Sequence, residues 1–187
     1  MNKVVELSAI DFHTRRHKQR LHLYYPLQAL MEEVSKRTAY LGKNRSAEGA
    51  PHLLDLIHMT EDEANLFDTC CRNAMSDLYD TISKYSIEIR DEDTYQYDTT
   101  DAKDEEYNHS IHYVMNYPPY LTRQYAESLD WSMFNALVCH IIHEWLGYAY
   151  PAEEATWAER YQKALDAVYS RANQFVPSTG RFAPCWF

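Results

Sequence analysis

Glycine is scarce in this chain, with four in 187 residues. They are scattered, so GxSxG, GxGxxG and GxxxxGK[ST] are all missing, and with them the nucleophile elbow and the phosphate-cradling loop. So little glycine also argues against a β-sandwich built on glycine turns. The cysteines lack metal spacing: Cys70 and Cys71 adjoin, Cys139 and Cys185 stand alone, and no CxxC pair occurs. A chain of this size needs no disulfide staples, so reduced thiols are expected. No apolar run approaches the ~18 residues of a membrane helix, and no signal-like segment opens the chain. A soluble protein that begins inside a cell, with no membrane partner, is the expectation. Cations are outnumbered as well, 18 against 28 acids, for a net charge of −10. That balance argues against general or sequence-specific nucleic-acid binding.

What is present fits a helical protein with one core. Hydrophobic residues make up 45% of the chain, enough to bury a domain of this length. Sixteen tyrosines and four tryptophans suit surfaces that are both buried and wet, as at subunit interfaces, or else fill the core. The charge is segregated. His13, Arg15, Arg16, His17, Lys18 and Arg20 form a basic patch, and the stretch from Glu88 to Glu106 holds nine acids against Arg90 and Lys103. These are either two solvated segments or opposite charges that steer docking. On the docking reading, the contact residues are Arg15, Arg16, Lys18 and Arg20 on one side. On the other stand Glu92 and Asp93, with Tyr95 and Tyr97 beside them.

The periodicity predicts a mainly α protein: a bundle of about four helices, a two-stranded β-arm insertion, and extended arms at both termini. Residues 1–21 show no sustained period and read as an arm, and residues 22–172 as the bundle domain. Helix one is expected over 26–41, opened by Pro26 and closed by Gly42, followed by a loop over 42–59 with a short apolar piece at Leu53–Ile57. Thr60-Glu61-Asp62-Glu63 is a capping box, and an apolar stripe from Ala64 to Tyr85 follows it. Ile87 and Ile89, then Ile111, Tyr113 and Met115, alternate with polar residues, which predicts a β-arm at about 86–117 ended by Pro118-Pro119. Helix three is expected over 130–147, with Asp130 as N-cap and Gly147 as C-cap. Pro151 starts helix four, packed antiparallel on helix three across a short link. Residues 173–187 form an aromatic tail with Phe175, Phe182, Trp186 and Phe187, which either folds back or anchors in a partner's groove.

The search for chemistry centres on His140-Ile-Ile-His143-Glu144. A zincin helix needs HExxH, with ligands four apart on one face; here the histidines are three apart. A di-iron bundle needs Glu-x-x-His on two helices, and no such pairs occur. His140 and Glu144 are four apart and suit a simple hydrogen-bonded pair. Cys139 and His140 are adjacent and point about 100° apart on a helix, so they form no nucleophile–base pair, and Cys139 reads as a small buried hydrophobe. The acids at 91–106 lack the glycine-turned calcium loop. No catalytic, cofactor or metal residue is assigned. The alternatives carried are a metal-binding bundle enzyme using His140, His143 and Glu144, and an acidic module that recruits a basic partner.

Residues 60–174 resemble the head–tail connector (adaptor) proteins of tailed bacteriophages. The resemblance rests on the capped helix at Thr60-Glu61-Asp62-Glu63-Ala64 and the β-containing insertion at 86–117. It rests also on the apolar helix Asn135-Ala136-Leu137-Val138-Cys139-His140-Ile141-Ile142-His143-Glu144-Trp145-Leu146, and on a closing helix from Ala152 to Ala172. It implies a non-enzymatic virion protein, assembled in the host bacterial cytoplasm, whose copies form a ring between portal and tail. The implied partners are copies of itself, portal proteins and tail proteins. The N-terminal arm, helix one and the aromatic tail depart from the short form of the family.

Overall fold

A computed structural model describes residues 9–15, 18–47, 52–83, 97–98, 110–117 and 121–175. The architecture is mainly α. Four long helices form the bundle: α1 (Leu27–Ala47), α3 (Ala64–Ser83), α4 (Arg123–Ala149) and α5 (Pro151–Ala172), with the short α2 (Leu53–Ile57) between the first two. Against them lies a sheet of β1 (Ala9–Arg15), β2 (Lys18–Pro26), β3 (Tyr97–Asp98) and β4 (Ser110–Tyr117), in the order β1-β2-β4-β3 and antiparallel throughout.

The most apolar segment does become the centre. α4 buries side chains on nearly all sides, Leu129, Met133, Leu137, Ile141 and Ile142 among them. A helix apolar all round must be enclosed by its neighbours. α5 returns along it after Tyr150 alone, and two contacts give the direction. Gly147 lies beside Glu154 near the link, while at the far end the Tyr125 hydroxyl donates to the Arg171 carbonyl and Arg171 Nε donates to Ser128 Oγ at 2.7 Å. The pair is antiparallel, as its short link requires. The capping box forms too: Thr60 N–H donates to Glu63 at 2.8 Å and the Thr60 hydroxyl accepts from the Asp62 N–H. A single 3-10 turn, Glu61–Glu63, then leads into α3. The Thr60 bond holds the Glu63 carboxyl below its ordinary value.

Several expected boundaries shift, each for a packing reason. Gly42 does not end α1, which continues to Ala47. It is buried against α2, and a Cβ there would meet the Leu54 backbone at 3.0 Å. The glycine permits a close helix–helix approach. Residues 42–59 are therefore not one loop, since the apolar piece at Leu53–Ile57 is α2. It is held by Trp145, whose indole N–H donates to the Ile57 carbonyl at 2.7 Å. Thr38 fixes the exit from α2, its hydroxyl accepting the Met59 N–H at 3.1 Å and donating to the Val34 carbonyl at 2.9 Å. Asp130 is not an N-cap. α4 begins seven residues earlier at Arg123, with Tyr125 N–H bonded to the Thr122 carbonyl, and Asp130 is buried inside it. Gly147 likewise lies within α4, which runs on to Ala149.

The sheet is larger than the expected two-stranded arm. Ile111, Tyr113 and Met115 do lie on a strand, β4, which stops at Tyr117 before Pro118. Its main partner is β2, in the register Leu21↔Met115, Leu23↔Tyr113 and Tyr25↔Ile111. Ile87 and Ile89 lie outside the described residues. Residues 1–21 thus include most of a hairpin in which Arg15 pairs with Lys18. One face of the sheet joins the core: Leu21, Leu23, Tyr25, Ile111 and Tyr113 are almost wholly buried. Tyr25 and Tyr113 meet edge to face at 6.0 Å, and the Tyr113 hydroxyl donates to the Met75 carbonyl of α3 at 3.0 Å. Leu21, Leu23 and Tyr25 already alternate in the sequence with His22 and Tyr24, so β2 had a period-two signal.

Candidate functional site

Two polar groups on α4 face α3 and meet two polar groups there. His140 Nε2 stands 3.0 Å from Asp77 Oδ2, and Asn73 Nδ2 donates to both Glu144 oxygens at 3.0 and 3.1 Å. On each helix the two residues are four apart, and the pairing runs in opposite chain directions. They form successive rungs between antiparallel helices. Tyr161 of α5 closes the cluster with its ring edge on the His140 ring at 4.7 Å. His140 is 4% exposed, and its Nδ1 is buried without a partner among the described residues. The arrangement fits the tautomer with the proton on Nε2, donated to Asp77, because a second proton on Nδ1 would be a buried unpaired donor.

The expected His140–Glu144 pair does not form. Their spacing was right for a bond within α4, but α3 supplies better partners across the interface. His143 meets His140 only ring edge to ring face, at 6.5 Å. Among the described residues no group of three or more His, Cys, Asp or Glu is arranged to hold a metal ion. The cluster can fix the α3–α4 register, with His140 buried and Asp77 at the water-exposed edge. Asp77 and Asn73 escape a motif search because neither belongs to a motif. Their signal is a polar pair at i and i+4 facing another such pair on the next long helix.

The thiols take their character from the same surroundings. Cys70, Cys71 and Cys139 are buried and unbridged. Burial pushes the Cys70 thiol up to about 12, and the Glu144 carboxylate adds to the shift. Burial also raises Cys71. Cys139 is raised by burial as well, but Arg37 and Arg160 oppose the shift. The Tyr161 hydroxyl is pushed up by burial first, then by Asp77 and Glu144. Thiols held neutral are poor nucleophiles.

Four of the expected docking residues lie among the described residues, in two places. Arg15 lies on β1, with Lys18 and Arg20 on β2, all toward the hairpin end of the sheet. Tyr97 lies on β3, opposite Ile111, which in turn pairs with Tyr25 at the far end of β2. Arg16, Glu92, Asp93, Tyr95, Phe182, Trp186 and Phe187 lie outside the described residues. Lys18 and Pro26 are eight residues apart on β2, about 26 Å at strand rise. The basic end of the sheet and the point where the acidic insertion joins it are therefore far beyond a Debye length of each other. Comparison with family models, with curated proteins and with solved structures finds no match. Among the described residues no helix is long and apolar enough to cross a membrane.

Proposed function

We propose that this chain is a non-enzymatic structural protein of a phage virion, a head–tail connector whose copies form a ring between portal and tail. The observation that carries the reading is the placement of charge along the sheet. Arg15, Lys18 and Arg20 sit toward one end, and the acid-rich insertion joins at the other, at Asp98 and Ser110. Unlike charges so far apart within one molecule satisfy each other best between molecules arranged head to tail, which is the heterologous contact that closes a ring. The order of elements agrees with the connector resemblance: a capped helix, a strand-bearing insertion, an enclosed apolar helix and a closing helix.

The purified chain should form a closed oligomer of one size, alone or on addition of portal protein. Native mass spectrometry and electron microscopy of the same sample would show it. A chain that stays monomeric at every concentration and ignores portal protein would overturn the reading.

A further inference from the structure

On the side of α4 away from the Asp77–His140 cluster, α1, α4 and α5 enclose a groove of about 880 Å³. Its charged lining is all of one sign: Lys36, Arg37, Lys43, Arg160 and Lys163, with no carboxylate. Neutralisation from outside the lining is partial, with one carboxylate shared by two of the cations. Glu33 holds Arg37 at 2.8 Å and touches Lys36 at 3.5 Å. Glu159 stands 3.9 Å from Lys163, where both side chains are more than three-quarters exposed and the pair is worth little. Arg160 lies over the Trp157 ring, 4.5 Å from its centre. The wall also carries an unmet donor. Trp157 is 3% exposed, and its indole N–H has no acceptor among the described residues. In a protein of net charge −10, a cleft walled by one sign focuses a positive potential. Its floor, with Cys139, Ala164 and Ala167, is apolar.

We infer that this groove receives the acidic, tyrosine-bearing insertion (residues 88–106) of a second copy of the chain. The inference rests on the ring reading only in that copies must meet. The insertion is the complementary partner the chain itself offers: nine acids against two cations, with Tyr95 and Tyr97 among them. The groove volume, within the ~300–1,000 Å³ of small-molecule sites, admits a few side chains of the segment, and carboxylates entering it find guanidinium and ammonium groups. For residues 99–106 of the segment, a neighbour reaches the far end of the groove more readily than the same copy does. Residues 99–109 are tethered at Asp98 and Ser110, beside the start of α1. Eleven residues held at both ends extend out and back by about 18 Å. Lys43 is sixteen residues into α1, about 24 Å from that start and beyond this reach, whereas Lys36, nine residues in, is about 14 Å away.

The test is a charge swap in the full chain, read by sedimentation velocity at about 0.1 M salt, where exposed charges interact over ~10 Å. One variant carries Lys36→Glu, Lys43→Glu and Lys163→Glu, all at exposed positions; the other carries Asp91→Lys, Glu92→Lys and Asp93→Lys. Each variant alone should self-associate at least tenfold more weakly than the parent, and an equimolar mixture should regain the parent's association. If the groove variant assembles like the parent, the groove inference falls while the ring reading stands on the basic end of the sheet; if the insertion variant does so too, the charge pairing behind both readings falls. If the parent is monomeric, calorimetry with a synthetic peptide of residues 90–107 decides the rest. A peptide that binds only the insertion-reversed variant means the segment fills its own copy's groove, which overturns the second copy as occupant. A peptide that binds neither form overturns the groove as its site.

Discussion

The two flanks of α4 lie on different sides of the helix and meet charge of opposite sign. Toward α3, His140 and Glu144 stand among Asp77, Asn73 and Cys70. Toward α1 and α5, Asn135 and Cys139 stand among Arg37, Arg160 and their lysine neighbours. The acid flank is closed, with its groups paired across the α3–α4 interface. The base flank is open, with a groove and cations to spare. The first flank's polar groups are paired with each other across the α3–α4 interface, while the second lines an open groove with cations.

The largest expected effect tests whether the flanks share one foundation. Phe134 is 2% exposed and lies between Tyr25 of the sheet and Trp131. Phe134→Ala should cost about 3–5 kcal/mol from lost burial and the cavity left behind. Denaturant unfolding followed by fluorescence and by circular dichroism should give one transition, lowered equally in both. Separate transitions would mean that the flanks belong to independently stable units.

Arg37 serves the open flank's structure as well as its charge. Its Nε donates to Glu33 and its Nη1 to Asn135 at 3.0 Å, joining α1 to α4. Arg37→Met keeps the apolar stem and removes both bonds. A loss of about 1.5–3 kcal/mol is expected, as for hydrogen bonds to charged groups, and urea titration would measure it. Asp77→Asn on the closed flank should cost less, about 1 kcal/mol, because Asp77 is 59% exposed and already screened by water. An Asp77 effect larger than that of Arg37 would mean that exposure to water does not screen the pair on the closed flank.

How much of this was legible in the sequence depended on whether a residue's partner was near or far in the chain. Thr60 and Glu63 are three apart, so their capping box was readable. The apolar enclosure of α4 was readable too, because Leu137, Val138, Ile141 and Ile142 leave few polar directions. Gly42 was misread as a terminator because a glycine at a helix end and one under a crossing helix look alike until Leu54 is seen beside it. Asp130 resembled an N-cap because it precedes an apolar run, although the helix had already begun at Arg123. The N-terminal strands were obscured by cations at the hairpin, and the pairing of β2 with β4 spans ~90 residues that no local pattern reports. The groove was invisible for the same reason. Its cations come from two helices more than 100 residues apart, each ordinary on its own surface.

The finest distinction between the flanks is in the thiols. Cys70 and Cys139 are both buried, yet the nearest charge raises one further and lowers the other. Glu144→Gln removes the carboxylate beside Cys70, so alkylation of Cys70 at mildly alkaline pH should speed up while that of Cys139 stays unchanged. Mass-spectrometric mapping after a timed iodoacetamide pulse would read both sites in one sample. Stability should follow the same logic. Cys70 titrates near 9 in the unfolded chain and near 12 in the folded one. The folded state thus holds a proton the unfolded chain releases, so stability is fully present below about pH 9 and declines as pH rises toward 12. Tyr25, raised by burial and then by Asp130, adds to that decline above its ordinary value of 10. In Glu144→Gln the decline should begin at the same pH and end at a lower one, because only the folded-state value has moved. Equal alkylation of Cys70 before and after the substitution would show that burial alone sets its reactivity, and the electrostatic contrast between the flanks would then stop short of their thiols.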